Sequence, residues 1–297
     1  MDSMTGYVMP MEPSTTGWDI HCHTAFSDGT ETPAVLAEQS KAVGLKGVSI
    51  SDHDTTAGWP QAEAAARKVG LPLLRGAEIT ATDDGVSVHM LGFQYDPTNQ
   101  CIVDLFARTR QARLRRTQRM VELMSKDLPI SWESVLAQVK EGGNTTIGRP
   151  HIADALVAAG VYQNRSEAFA DAVSTSSKYY IPTPSPTARE VVAAVKGADG
   201  VILIAHAGDL SRNRRLLSDE QIEALIAEGL DGLEVWHRGN LPEQRERLLG
   251  ICARYHLLVT GGSDWHGKGK PNLLGENLTD EATVAEIVRR GALPLYR

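Results

Sequence analysis

Cysteine is scarce in this chain of 297 residues: Cys22, Cys101 and Cys252 are the whole supply. Three is an odd number and they lie far apart in sequence. That argues against a disulfide-built scaffold and for a reduced, cytoplasmic setting. An excess of basic residues is lacking too. Thirty Lys and Arg stand against 37 Asp and Glu, a net charge of −7. The broad basic face that coats nucleic acid is therefore not expected, though a local basic pocket is allowed. No apolar run reaches the roughly 18 residues a membrane-spanning helix needs. The opening MDSMTGYVMPMEPSTTG has no basic start followed by an apolar stretch, so no secretory leader is expected, and residues 1–16 read as a flexible tail. No internal repeat is evident. What remains is an ordinary globular balance, 42% hydrophobic and 23% charged, at a length that suits one large α/β domain or one domain with an insertion.

Short β-type runs alternate with helical patterns. The strand candidates are WDIHCH (18–23), GVSISDH (47–53), LPLLRGAEIT (71–80), VSVHMLGF (86–93), GVILIAH (200–206), GLEVWH (232–237) and LLVTGGSDWH (257–266). Helices are expected over 58–70, 187–198, 218–229 and 242–255, and another begins at Thr32-Pro33, an N-cap followed by proline at the first helical position. Asp83-Asp84-Gly85 between two β runs reads as a hairpin turn. Repeated strand–helix units with apolar strands imply a largely parallel sheet covered by helices. The alternation breaks between 98 and 185, which is helical throughout and closes with the loop IPTPSPT. We read 17–97 and 186–297 as one discontinuous barrel-like body and 98–185 as a helical insertion or lid.

Seven of the nine histidines fall at or near the ends of the predicted strands: His21, His23, His53, His89, His206, His237 and His266. Asp28, Asp52, Asp54, Glu78 and Asp264 share that edge. In parallel α/β folds this edge carries the chemistry, because loops vary there while strands hold position. His21-Cys22-His23 on a strand puts both imidazoles on one face and turns Cys22 away into the core. Glu78 interrupts an apolar strand, and a lone buried carboxylate must pair or bind a cation. Each of these features alone also fits a polar strand end. Together they would require many strand ends to carry metal-ligand residue types for unrelated reasons.

The order HxH…D…DHD…E…H…AH…SDxH, over residues 17–97 and 186–270, resembles the PHP family, the polymerase and histidinol phosphatase superfamily of metal-dependent phosphoesterases. GRPHIADALV at 148–157 looks like the helical insertion of the subgroup acting on nucleoside 3′,5′-bisphosphates. The resemblance implies a distorted seven-stranded TIM-like (β/α) barrel and a centre of two to three divalent ions. By analogy His21, His23, Glu78 and Asp264 would hold the first ion, Glu78, His89 and His206 the second, and Asp28, His53 and His266 the third. Asp28, His53, Glu78, His206 and Asp264 would act in catalysis. One departure is Ala-His-Ala at 205–207, where many relatives have proline after the histidine. Mixed imidazole and carboxylate ligands suit Mn, Fe or Zn. Such ions lower the pKa of a water to give a hydroxide near neutral pH, which points to displacement at phosphorus.

The helix over 103–126 carries Arg108, Arg110, Arg113, Arg115, Arg116 and Arg119; most should be solvated, with one or two turned to the site. Arg149 and His151, at a helix start beside Pro150, are the expected substrate-phosphate contacts, with His237 at the pocket rim. His256 precedes a strand away from the edge and reads as structural or exposed. The expected activity is hydrolysis of a small phosphorylated metabolite, foremost the 3′-phosphate of a nucleoside 3′,5′-bisphosphate to give a 5′-monophosphate such as AMP. No stable nucleic-acid complex and no membrane are expected, and the oligomeric state is left open. Cyclic phosphodiester opening, 5′-phosphorylated short RNA or histidinol phosphate are alternatives on the same site. An amidohydrolase-type C–N hydrolase would need a bridging lysine, and none is found. A non-catalytic metal- or nucleotide-binding module would be favoured by missing ligands, and none is missing.

Overall fold

The computed structural model describes residues 7–212 and 215–297. Seven strands lie side by side in chain order. They are β1 (Trp18–Asp19), β2 (Gly47–Ile50), β3 (Leu73–Asp83), β4 (Val86–Phe93), β5 (Val201–Ile204), β6 (Gly232–Trp236) and β7 (Leu258–Gly261). Neighbours pair in parallel except around β4, which is antiparallel to both β3 and β5. Just beyond β1 and β7 the two edges meet: His23 N–H donates to Trp265 O at 2.8 Å and Trp265 N–H to His21 O at 3.3 Å. The sheet is thus a nearly closed, distorted seven-stranded α/β barrel.

The helices are α1 (Pro33–Ala42), α2 (Trp59–Val69), α3 (Gln100–Met124), α4 (Trp132–Leu136), α5 (Arg149–Ala158), α6 (Arg165–Ala170), α7 (Ala188–Gly197), α8 (Asp219–Ala227), α9 (Pro242–Tyr255) and α10 (Glu281–Arg290). Their starts follow local capping chemistry. Thr32 Oγ1 accepts from Val35 N–H, and Thr187 with Glu190 and Ser218 with Gln221 form reciprocal capping boxes. Asp84 and Gly85, at φ 42° and 77°, make the tight β3–β4 turn, which needs two left-handed residues in succession.

Two expectations are corrected here. β1, β2, β5, β6 and β7 are shorter than the periodicity predicts, while β4 has the predicted bounds and β3 runs on to Asp83, so most of the ligand-type residues stand on loops just past the strand ends. His89 is not at a strand's C-terminal end; it sits inside β4, opposite Thr80 of β3. It reaches the same edge because β4 runs backwards after the tight turn. The tail expected over 1–16 falls partly outside the described residues. Of the remainder, Tyr7 Oη is bonded to Thr283 and receives Val259 N–H, and Ser14 bridges Leu278.

Strand residues alternate between two apolar clusters. Ile202 and Ile204 pack with Val191, Val192 and Val195 of α7, while Val201 and Leu203 pack with Leu91, Phe93 and, from α10, Val284 and Ile287. Cys22 lies in the helix-side core, fully buried. A third cluster, with Met120, Met124, Ile152, Leu156 and Tyr179, lies wholly within the helical stretch between β4 and α7. No helix among the described residues is long and apolar enough to cross a membrane.

Candidate metal centre

The loop after β1 carries His21, His23 and Asp28, and the residues of SDHD hold it in place. Asp52 accepts from Thr24 N–H at 2.7 Å, Thr24 Oγ1 at 2.6 Å and Ser27 Oγ at 2.6 Å. Asp54, at φ 53°, accepts from Thr80 N–H and Oγ1 at 2.8 and 2.9 Å and from Arg113 Nη1 at 3.0 Å. The two aspartates therefore clamp the neighbouring segments and leave His53 between them facing the centre.

Glu78 is the hub. Its Oε2 lies 3.4 Å from His21 Nε2, 3.0 Å from His23 Nε2 and 3.4 Å from His53 Nε2. Its Oε1 lies 2.8 Å from His89 Nδ1 and 2.9 Å from His206 Nε2. Asp264 Oδ1 is 3.5 Å from His21 Nε2 and 3.4 Å from His23 Nε2, and Asp28 Oδ1 is 3.0 Å from His266 Nε2. Three groups bring ligand atoms within 4.8 Å of one another: His21, His23, Glu78 and Asp264; His23, Asp28, His53 and His266; and His53, Glu78 and His89. His23, His53 and Glu78 are thus each shared between two groups. His206 stands outside them, bonded to Glu78 and approached by a guanidinium.

These residues fit metal ions on chemical grounds. His21 Nε2, His23 Nε2, Glu78 Oε2, Asp264 Oδ1 and His266 Nε2 are buried with no hydrogen-bond partner. An unpartnered buried polar atom costs about 1–3 kcal/mol, so five converging on one spot call for cations. Burial would push Glu78 up, but His89, His53 and His21 hold it well below the usual carboxylate range. Burial likewise opposes Asp28, which His266 and His53 bring well down. Burial, and then the Lys270 ammonium, push His266 down to about 4, and burial also keeps His53 well below its ordinary value. Their lone pairs are therefore free at neutral pH. His21 and His23 go the other way. Burial lowers both, but Glu234, Glu78 and Asp264 carry His21 well up, and Asp264 with Glu78 raises His23 to about 9. These two protons are the ones a cation would displace.

Several functional residues escaped the sequence reading. Glu234, fully buried in β6, accepts from His21 Nδ1 at 2.9 Å and from His206 N–H at 2.6 Å. A carboxylate on Nδ1 sets the tautomer and aims Nε2 inward. Gly262 makes room for this pair: a Cβ there would lie 2.4 Å from His21 Cβ and 2.5 Å from Glu234 Oε1. Arg212 sends Nη1 to 2.9 Å from His206 Nε2 and 3.2 Å from His89 Nδ1, and its Nη2 donates to Asp264 Oδ2. Lys270 Nζ donates to the same oxygen at 2.8 Å. The signal for Glu234 was present, a lone acid in apolar GLEVW, as for Glu78 in GAEIT. Arg212 and Lys270 follow ligand strands on loops and carry no pattern of their own.

A cavity of about 670 Å³ opens over this centre, lined by Asp28, His53, His89 and His206 on one side and by Arg113, Arg116, Arg149, Arg165, Arg212 and Lys270. Of the α3 arginines, Arg113 and Arg116 face it, whereas Arg108, Arg115 and Arg119 are exposed. Arg116 lies over Tyr180 and donates to Ile181 O at 2.7 Å; Arg149 lies over Phe169 and Tyr180 and donates to Val173 O at 3.0 Å. Burial, and next the neighbouring Arg149, lower Arg116 to about 10. The expectation for His151 is corrected: it does not line the cavity, because its Nδ1 turns back to accept from Gly148 N–H at its own helix start. His237 accepts from Gly239 N–H through Nδ1 at 3.1 Å, which leaves the proton on a partnerless Nε2. It borders a smaller recess with Arg212, Lys270, Arg238 and Asn272.

Comparison with known proteins adds the following. The PHP domain matches residues 19–228. A 5′-3′ exoribonuclease from Haemophilus influenzae is 28% identical over 89% of this chain and 95% of its own length. A 3′,5′-nucleoside bisphosphate phosphatase from Chromobacterium violaceum is 26% identical over 85% of this chain and 88% of its own. A crystal structure from Bifidobacterium adolescentis, whose description as a metal-dependent phosphoesterase is itself an inference, superposes with a TM-score of 0.94. It is 72% identical and covers 95% of this chain and 98% of the other.

Proposed function

This chain belongs to the PHP-domain family of metal-dependent phosphoesterases, and from that premise we propose that it is a phosphomonoesterase releasing the 3′-phosphate of nucleoside 3′,5′-bisphosphates. The observation that carries this reading is the Arg116–Arg149 pair. Both guanidiniums line the same cavity as the ligand cluster, burial lowers the pKa of both, Arg149 adds to the fall at Arg116, and among the described residues neither has a carboxylate within ion-pair distance. Two like-charged, half-buried cations are unfavourable together unless an anion joins them, and the arginine fork suits phosphate oxygens. A substrate with two phosphates would satisfy both ends of the cavity.

His21, His23, Asp28, His53, Glu78, His89, His206, Asp264 and His266 would hold two to three ions of Mn, Fe or Zn. Those ions, when bound, supply Lewis-acid charge for the phosphoryl oxygens and lower the pKa of a water. The chain's own residues do the rest. Arg212 and Lys270 lie against Asp264 and offer positive charge to the phosphate under attack. His237 is restricted by its tautomer to donating from Nε2. Arg116 and Arg149 bind the second phosphate and so fix the ester bond relative to the centre.

The test is phosphate release from a panel of nucleoside 3′,5′-bisphosphate, AMP, a cyclic nucleotide, histidinol phosphate and short 5′-phosphorylated RNA. Bisphosphate should be preferred. In an Arg116→Ala, Arg149→Ala variant kcat/KM on bisphosphate should fall about 10–100-fold, the value of charge-assisted hydrogen bonds of about 1.5–3 kcal/mol, with a singly phosphorylated ester little affected. An unchanged preference in that variant sinks the two-phosphate reading. Faster turnover of the RNA than of bisphosphate would make the arginine pair a clamp for a terminal 5′-phosphate instead.

A further inference from the structure

The loop Thr24–Thr30 carries Asp28, and its outer side is held by the helical stretch between β4 and α7. Four of its carbonyls accept from that stretch. Thr145 Oγ1 donates to Ala25 O at 3.0 Å, Thr146 N–H to Phe26 O at 2.9 Å, Arg165 Nη1 to Asp28 O at 2.8 Å, and Lys140 Nζ to Thr30 O. Thr30 passes the constraint on: its N–H donates to His266 O at 3.0 Å, and its Oγ1 accepts from Lys268 N–H at 2.8 Å. Arg165 is the centre of this array. Its Nε donates to Asp154 Oδ1 at 2.8 Å and its Nη2 to Asp154 Oδ2, a two-pronged pair that aims Nη1 at Asp28. Gly269, three residues after His266, packs against it so closely that a Cβ there would lie 2.4 Å from Arg165 Nη1.

We propose that the inserted helices form the outer wall of the ion site of His23, Asp28, His53 and His266, and that Arg165, held by Asp154, is a positioning residue setting that site's affinity. This rests on the metal-centre reading above. Of the site's four ligands, Asp28 has its own carbonyl bound by Arg165, and His266 is fixed through Thr30 and the Gly269 contact. Freed from Arg165, the Asp28 carbonyl loses its only donor from α6, and the carboxylate loses its fixed distance to His266. His21, Glu78 and Asp264 take no hydrogen bond from Arg165 and should keep their ion.

The experiment is metal analysis, not activity. The chain is stripped, reloaded with manganese, and ions per chain are counted by elemental analysis, with affinities by chelator competition. Arg165→Met, which keeps the stem volume, should lose one ion per chain or hold it about 10–100-fold more weakly, the usual effect of removing an outer partner. Arg165→Lys, which keeps one donor, should recover part of the loss, and Asp154→Asn should lie between. Melting of the stripped protein should be near wild type in all three. Should Arg165→Met not fold, Thr145→Val and Lys140→Met loosen the same loop from other points and should weaken the same ion. The wild-type ion count and affinity in every variant overturn this proposal alone. A wild-type protein that binds no ion overturns the metal-centre reading and this proposal with it.

Discussion

Glu234 is fully buried in an apolar strand yet spends both oxygens, one on His21 Nδ1 and the other on His206 N–H. Glutamine could accept from one of them but not from both, since its nitrogen can only donate. Glu234→Gln should therefore leave the chain folded and weaken metal binding about 10–100-fold, measured by chelator competition. Unchanged affinity would mean that His21 is aimed by packing alone. The same scale separates Asp52 and Asp54 from His53. Three adjacent polar residues look alike in sequence, but the aspartates are used up by Thr24, Ser27, Thr80 and Arg113. His151 shows the reverse case, in which a histidine two residues from the cavity-lining Arg149 is spent on its own helix end.

Among the elements, α9 shows a cost the fold has accepted. It ends at His256 in the left-handed conformation, φ 55° and ψ 41°, with its N–H donating to Cys252 O and its side chain exposed. A left-handed residue with a Cβ costs about 1–2 kcal/mol, partly recovered because glycine loses more freedom on folding. His256→Gly should then stabilise the chain by roughly 0.5–1 kcal/mol and raise the melting temperature by about 2 °C. Calorimetry showing a lower melting point would reveal an unseen contact of the imidazole. The β3–β4 hairpin illustrates how an element decides a site. Asp83-Asp84-Gly85 announces a tight turn, and a tight turn forces β4 to run back. His89 then lies opposite Thr80, beside Glu78 rather than at a strand end.

Taken whole, the molecule gathers ligand-type residues from loops after β1, β2, β5 and β7 and from β3 and β4, so the centre ties most of the barrel together. Ions bound only by the folded chain stabilise it by mass action, about 2.7 kcal/mol for a site at one hundred times its dissociation constant. Removing metal should therefore lower the melting temperature by several degrees, and the drop should grow with the manganese concentration of the loaded reference. A melting point indifferent to chelation and reloading would count against any bound ion. The run of helices between β4 and α7, with an apolar cluster of its own, was legible because helical periodicity replaces strand alternation there. Its grip on the Asp28 loop was not, since Thr145, Thr146 and Arg165 are unremarkable in sequence and act at separations above one hundred residues.

Residue types and periodicities were enough to specify an α/β chain with seven strands, a polar edge rich in imidazole and carboxylate, and an interruption by helices. Those features are local: they depend on side-chain alternation, capping and turn chemistry within a few residues. Tertiary structure alone decided which atoms of the edge meet, that Glu78 faces two groups with its two oxygens, that Glu234 stands behind His21, and that Arg116 and Arg149 find no carboxylate partner among the described residues. Such facts depend on the closing of the barrel and the docking of distant helices. Distance and burial, not residue type, determine whether a charged group is paired, spent or available.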